Sequence, residues 1–197
     1  FGEGTRWASS SGFVNRLVGG WAVNGFLTYQ SGAPFSVMSL RGTLNRAARS
    51  NNTQNGNPAS SFLTKSELDS LTGVRMTGNG PYFFAASVTG ADGRAAQPDG
   101  RDFFSGQAFF HPGPGQLGTL QRRMFTGPMW LAFDMGLMKT TQIRERHVIE
   151  IRAEAINALN TPAFHIGDQD INSVNFGRIT STVTDPRRIQ FGLYYRF

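Results

Sequence analysis

The chain contains no cysteine. That removes disulfides, thiolate metal sites and a thiol nucleophile, and it says nothing positive about compartment. Long hydrophobic runs are missing too, Met129 to Phe133 being among the longest. A membrane-crossing helix needs about 20 apolar residues in succession, so the sequence holds none. This does not exclude a membrane, because a β-barrel crosses it with alternating strands of low mean hydropathy. Lysine is scarce beside arginine, and no basic run is longer than a pair such as Arg122-Arg123. The excess of 19 Lys plus Arg over 13 Asp plus Glu gives a net charge of +6. Charge this scattered argues against nucleic acid as a partner. Phe1 is not preceded by a Met, and no charged n-region leads into an apolar h-region. The chain therefore reads as mature or as a fragment. Patterns of the GxSxG, HExxH and P-loop kind are also missing, so no catalytic residue is nominated and no enzyme is expected.

What is abundant points to β-structure. There are 24 glycines, 12% aromatics and many Asn, Ser and Thr, the composition of an all-β chain with long loops. The clearest stretch is Arg187 to Phe197, RRIQFGLYYRF. Ile189, Phe191, Leu193, Tyr195 and Phe197 alternate with Arg188, Gln190, Gly192, Tyr194 and Arg196. A strand sends successive side chains to opposite faces, so the segment has one apolar face and one largely polar face. Its length suits a tilted membrane-crossing strand of about 9–11 residues.

Taken in order, strands are expected near 1–8, 20–30, 128–140, 145–157 and 187–197. Phe13, Leu17 and Val18 suggest one helical turn ended by Gly19-Gly20. In WAVNGFLTYQ, Trp21, Val23, Leu27 and Tyr29 share a face with Gly25, while Phe26 interrupts the other. From 31 to 127 the period is lost among turn signals such as Asn55-Gly56-Asn57-Pro58 and Gly78-Asn79-Gly80-Pro81. Inside that stretch Thr64 and Glu67 have capping-box spacing, and Tyr82 to Val88 suits a short strand. Leu131, Phe133, Met135 and Leu137 then alternate with Trp130, Ala132, Asp134, Gly136 and Met138. Thr140 to Glu145 reads as a short turn. In the next strand Ile149, Ile151, Ala153 and Ala155 alternate with Val148, Glu150, Arg152, Glu154 and Ile156. Residues 158–186 form a second long loop, with an extended piece at Phe176 to Val183. Short and long connections thus alternate along the chain, as in barrels with short periplasmic turns and long external loops.

The polar faces carry the charged candidates Asp134, Glu150, Arg152, Glu154, Arg188 and Arg196. A basic residue facing lipid at the midplane costs roughly 2–4 kcal/mol, so inward is the cheap direction. These residues could line a substrate path, or simply bridge neighbouring strands or a plug. Paired Glu residues also resemble glycosidase carboxylates, but such pairs on strands are common without catalysis. His111, His147 and His165 lack metal-ligand spacing. Asp168, Asp170 and Asn172 imitate the start of a calcium loop, yet Ser173 and Ile179 stand where that loop wants Gly and Glu. No metal and no cofactor is assigned.

Three segments, GGWAVNGFLTYQSGAPFSV, TGPMWLAFDMGLMKTTQIRERHVIEIRAEAINALNTPAF and FGRITSTVTDPRRIQFGLYYRF, resemble the carboxy-terminal barrel portion of TonB-dependent outer-membrane transporters. The resemblance is to the Oar-like branch, whose members carry a carboxypeptidase-regulatory-like domain. It implies an all-β fold: an antiparallel transmembrane β-barrel segment with long extracellular loops. About five or six strands would belong to a larger barrel of about 22, since roughly eight are needed for closure. It further implies contact with outer-membrane lipid, recognition by the barrel assembly machinery, and coupling to the TonB complex through regions upstream. Uptake of an unidentified substrate follows from the same resemblance. Ile189, Phe191, Leu193, Tyr195 and Phe197 resemble the family's assembly signal. Two alternatives stay open: a soluble all-β module binding carbohydrate or protein, and a small structural outer-membrane barrel.

Overall fold

The computed structural model describes residues 12–41, 43, 57–98 and 101–197. The strand expected near 1–8 lies outside them. In chain order the elements are α1 (Gly12–Val18), β1 (Trp21–Gln30), β2 (Pro34–Phe35), α2 (Lys65–Ser70), β3 (Thr72–Thr77), β4 (Gly80–Phe84), a 3-10 turn (Ala86–Val88), β5 (Phe125–Thr126), β6 (Trp130–Arg144), β7 (His147–Ile156) and β8 (Arg188–Arg196). The fold is all-β with short helical pieces. No helix among the described residues is long and apolar enough to cross a membrane. The chain divides into two compact units.

The first unit comprises Phe1–Gln30, Trp130–Ala163 and Thr184–Phe197. Its centre is a four-stranded antiparallel sheet in the order β1-β6-β7-β8. Strict alternation specifies the register, because a slip of one residue would exchange the faces of a whole strand. Asn24, Gly136, Glu154 and Gln190 stand opposite one another across the four strands, as do Ala22, Met138, Arg152 and Gly192. The reading of Thr140 to Glu145 as a turn is corrected here. Strand β6 continues to Arg144, and only Glu145-Arg146 turns the chain into β7. Polar Thr140, Thr141 and Gln142 look like loop residues, but each finds a ladder partner in β7, and a register shift follows between Gln142 and Arg144.

The helical turn is present as α1, and Gly20 follows it at φ +74°. A Cβ on Gly20 would lie 2.1 Å from the Thr140 carbonyl oxygen, so the crossing into β1 needs glycine.

The second unit comprises Ser31–Met129 and Phe164–Val183. It takes in most of the two stretches that carry no period in the sequence. They are far from structureless. The unit holds a core of Phe35, Val37, Leu68, Phe83, Phe84, Phe109, Phe125, Ile171 and Phe176. Phe84 stacks on Phe176 at 4.7 Å between ring centroids and meets Phe35, Phe83, Phe109 and Phe125 edge-on. Backbone bonds bring the two chain segments together: Met38 N donates to Gln169 O, and Ile171 N donates back to Met38 O. The Thr64–Glu67 capping box forms, with Thr64 N donating to the Glu67 carboxylate at 2.7 Å. Tyr82 falls in β4, which starts earlier, at Gly80, ends at Phe84 and is followed by the 3-10 turn, so only Tyr82 to Phe84 of the expected strand pairs as one. Phe176 to Val183 does not form a strand; it contributes isolated bridges from Phe176, Arg178 and Thr182.

Candidate functional site

The two faces of the β1-β6-β7-β8 sheet differ in chemistry. One carries Val23, Leu27, Tyr29, Leu131, Phe133, Met135, Leu137, Ile149, Ile151, Ile189, Phe191, Leu193 and Tyr195. Many of these are open to the surroundings, Phe191 at 80% and Leu193 at 72%. Such a contiguous apolar face marks a lipid or partner contact. Gly25 leaves a gap there that the Phe133 ring covers.

The other face carries all six charged candidates. Glu150 is 5% exposed and holds two guanidinium groups. Arg152 Nε donates to its Oε1 at 2.5 Å, and Arg196 Nη2 donates to Oε2 at 2.9 Å. Arg152 also lies over the Tyr194 ring, 4.9 Å from its centroid. Tyr194 can lean that way because Gly192, two residues back on the same face, leaves room for its ring. Each neighbour thus orients the next, and the carboxylate is fully engaged.

The remaining candidates are placed differently. Glu154 accepts from the Gln190 side-chain amide. Asn24 lies over Gly136, whose missing side chain makes space for it. Asp134 accepts from Asn157 N at 2.8 Å at the end of β7. Arg188 turns to Asp185 at 3.1 Å, away from the acidic row. Among the described residues no Lys or Arg comes within bridging distance of Asp134 or Glu154. Open depressions run across this face, and each has Glu154 in its lining, with Asn24 and Asp134 on one side and Gln190 and Tyr194 on the other. The arrangement can receive hydrogen-bond donors and cations. Sequence reasoning missed Asn24, Gln190, Tyr194 and the two glycines. Their parity with Glu154 and Arg152 was the signal that could have found them.

Ile189, Phe191, Leu193 and Tyr195 all project from β8 on the apolar face, and Phe197 stacks on Tyr195 at 6.0 Å. Tyr195 in turn meets His147, whose Nδ1 lies 2.6 Å from its hydroxyl.

In the second unit the aspartates that imitate a calcium loop serve the backbone. Asp168 Oδ1 accepts from Asp170 N at 3.0 Å, and Asp170 Oδ1 accepts from Asn172 N at 2.9 Å. Asn172 Nδ2 donates to Ser39 O. Burial pushes the Asp170 carboxyl above its usual range, against the two bonds from Asn172. Asp92 is held below its range, chiefly by the Arg94 backbone amide and then by the Arg94 side chain. No group of three or more His, Asp or Glu side chains among the described residues is placed to hold a metal ion.

Comparison with known proteins adds one finding. A family model described as an outer membrane beta barrel domain matches residues 1–190. No curated protein and no solved structure matches the chain.

Proposed function

Because the chain belongs to the family of outer-membrane β-barrel domains, and so resides in the bacterial outer membrane, we propose that its four-stranded sheet is a stretch of the wall of a TonB-dependent transporter of the Oar-like branch. The wall would continue into about 22 strands, with the polar face toward the lumen and the apolar face toward lipid. The segregation of faces across all four strands carries this reading. In lipid every backbone group must be paired, which only helices and closed barrels achieve. The outer edges of β1 and β8 have no partner strand among the described residues, so the reading requires further strands on both sides. On this reading the second unit is extracellular, since it takes up the long connections.

This sequence contributes no cysteine of its own, and any outside it would be replaced. In the full-length polypeptide, Ile151→Cys should react with a lipid-phase probe and Glu154→Cys only with a water-soluble one. The reverse pattern would mean that the faces are exchanged. Crosslinking in cells tests the coupling: the full-length polypeptide should be captured by TonB, and no capture would leave a passive barrel.

We assign Ile189, Phe191, Leu193, Tyr195 and Phe197 to recognition by the barrel assembly machinery, supported by their alternation and exposure on one face. Replacing Tyr195 and Phe197 by serine should lower the yield of heat-modifiable, membrane-inserted protein. An unchanged yield removes these two residues from that role.

A further inference from the structure

A lysine sits on the lipid-facing side of the sheet. Lys139 follows Leu131, Phe133, Met135 and Leu137 in parity and pairs with Trp21. A charge in that row is costly at the membrane midplane and nearly free at its boundary. Lys139 is only 9% exposed, and its ammonium turns to protein carbonyls. It donates to Arg16 O at 2.7 Å and to Gly19 O, and lies 5.4 Å from the centroid of the Trp21 ring. Trp21 Nε1 donates to Leu17 O at 3.1 Å. Both side chains therefore satisfy carbonyls at the C-terminal end of α1, where a helix leaves acceptors unpaired and favours a cation. They tie α1 to the end of the lipid-facing surface.

The helix keeps an open side. Leu17 is 60% exposed and Val18 47%, with Arg16 exposed beside them. In water these apolar residues gain nothing. At a membrane boundary they continue the apolar face of β1, and Arg16 meets phosphate. The depth agrees. Trp21 and Tyr29 bound the apolar face of β1, eight residues apart, or about 27 Å along the strand. At a tilt of about 40° this spans roughly 21 Å of membrane depth, within a few ångströms of the outward apolar band of about 25 Å that aromatic girdles flank. The end of the sheet that carries α1 also carries the short Glu145-Arg146 turn, the periplasmic side of such barrels.

We propose that α1 is a membrane-interface foot that lies in the phospholipid headgroup layer of the periplasmic leaflet, seated on the barrel wall by Lys139 and Trp21. The occupant of its open side is phospholipid: acyl-chain ends of the interface against Leu17 and Val18, phosphate against Arg16. The inference rests on the membrane reading above, and its test separates the two.

The full-length polypeptide is reconstituted in phospholipid nanodiscs with Trp21 kept and Trp7 and Trp130 replaced by phenylalanine, as are any tryptophans outside this sequence. Lipids brominated close to the glycerol should quench Trp21 at least about two-fold more strongly than lipids brominated near the chain ends. A second protein, Trp21→Phe with Met135→Trp, reports the middle of the apolar band, because Met135 pairs with Gly25 midway between Trp21 and Tyr29, and should show the opposite preference. If that control is not quenched, the membrane reading fails. If the control behaves and Trp21 is unquenched, or is quenched best by the deep bromines, the interface foot is wrong. Lys139→Met gives an independent readout. It leaves the strand's alternation intact and frees the α1 carbonyls, so trypsin should cut after Arg16 about ten-fold faster than in the parent. Equal rates would show that Lys139 does not seat the helix.

Discussion

Phe84→Ala is expected to unravel the second unit while leaving the four-stranded sheet folded. Phe84 is 4% exposed and contacts five other aromatic rings. Truncating a buried phenylalanine typically costs 3–5 kcal/mol, through lost transfer energy and the cavity left behind (about 4 kcal/mol here). The second unit has no disulfide to hold it, and its elements are short, so that loss is a large part of a typical domain stability of about 5–15 kcal/mol. Protease added to intact cells should then cut within 57–126, while β6 to β8 stay protected in the membrane. The effect is local because Phe84 contributes nothing to the sheet ladder. An unchanged digestion pattern would show that the aromatic cluster is not what holds this unit. Simultaneous loss of the sheet would show that the two units fold as one.

Glu150→Ala should destabilise the sheet by about 1–3 kcal/mol. Removing one partner of a buried ion pair costs roughly 3–5 kcal/mol, whereas exposed pairs contribute about 0.2–1 kcal/mol. Glu150 is buried, but the Arg152 and Arg196 side chains are 40% and 66% exposed, so the expectation lies between these limits. Two guanidinium groups would be left side by side without their shared carboxylate. Urea unfolding of the membrane-inserted protein should show a lower midpoint at unchanged slope. In a cycle with Arg152→Ala the two costs should fall short of additive, because each change removes the same bonds. Additive costs would mean that Glu150 and Arg152 do not act together. A midpoint equal to the parent's would make the cluster energetically idle.

The strands were legible because their alternation has a period of two, which separates apolar from polar side chains along each strand. Trp21 to Gln30 and Arg188 to Arg196 read directly in this way. The end of β6 escaped because Thr140, Thr141 and Gln142 carry no alternation, and only pairing with Val148, Ile149 and Glu150 makes them a strand. The second unit escaped for a different reason. Apart from close pairs such as Phe35 with Val37 and Phe83 with Phe84, its core residues come from segments far apart, Phe109, Phe125 and Phe176 among them, so no window of sequence contains more than a small part of that core. Its legible details, the Thr64–Glu67 box and the strand at Tyr82 to Phe84, are local by nature. On the polar face the acidic and basic candidates could be named from alternation alone. That Arg152 and Arg196 converge on Glu150, while Arg188 turns aside, depends on the register between β7 and β8 and on Asp185 three residues before Arg188.

Gly136 and Gly192 lie on the charged face, in adjacent cross-strand rows with Glu154 and Arg152. When a sheet bends, side chains on its concave side converge and those on its convex side spread. Positions without a side chain relieve crowding on the concave side, and glycine in strands is a recognised means of introducing curvature. The two glycines therefore favour bending toward the charges, so the face that holds Glu150 and Glu154 becomes the inside of the arc. Bulky residues at these positions would flatten the arc, widening the circumference that the remaining strands must close.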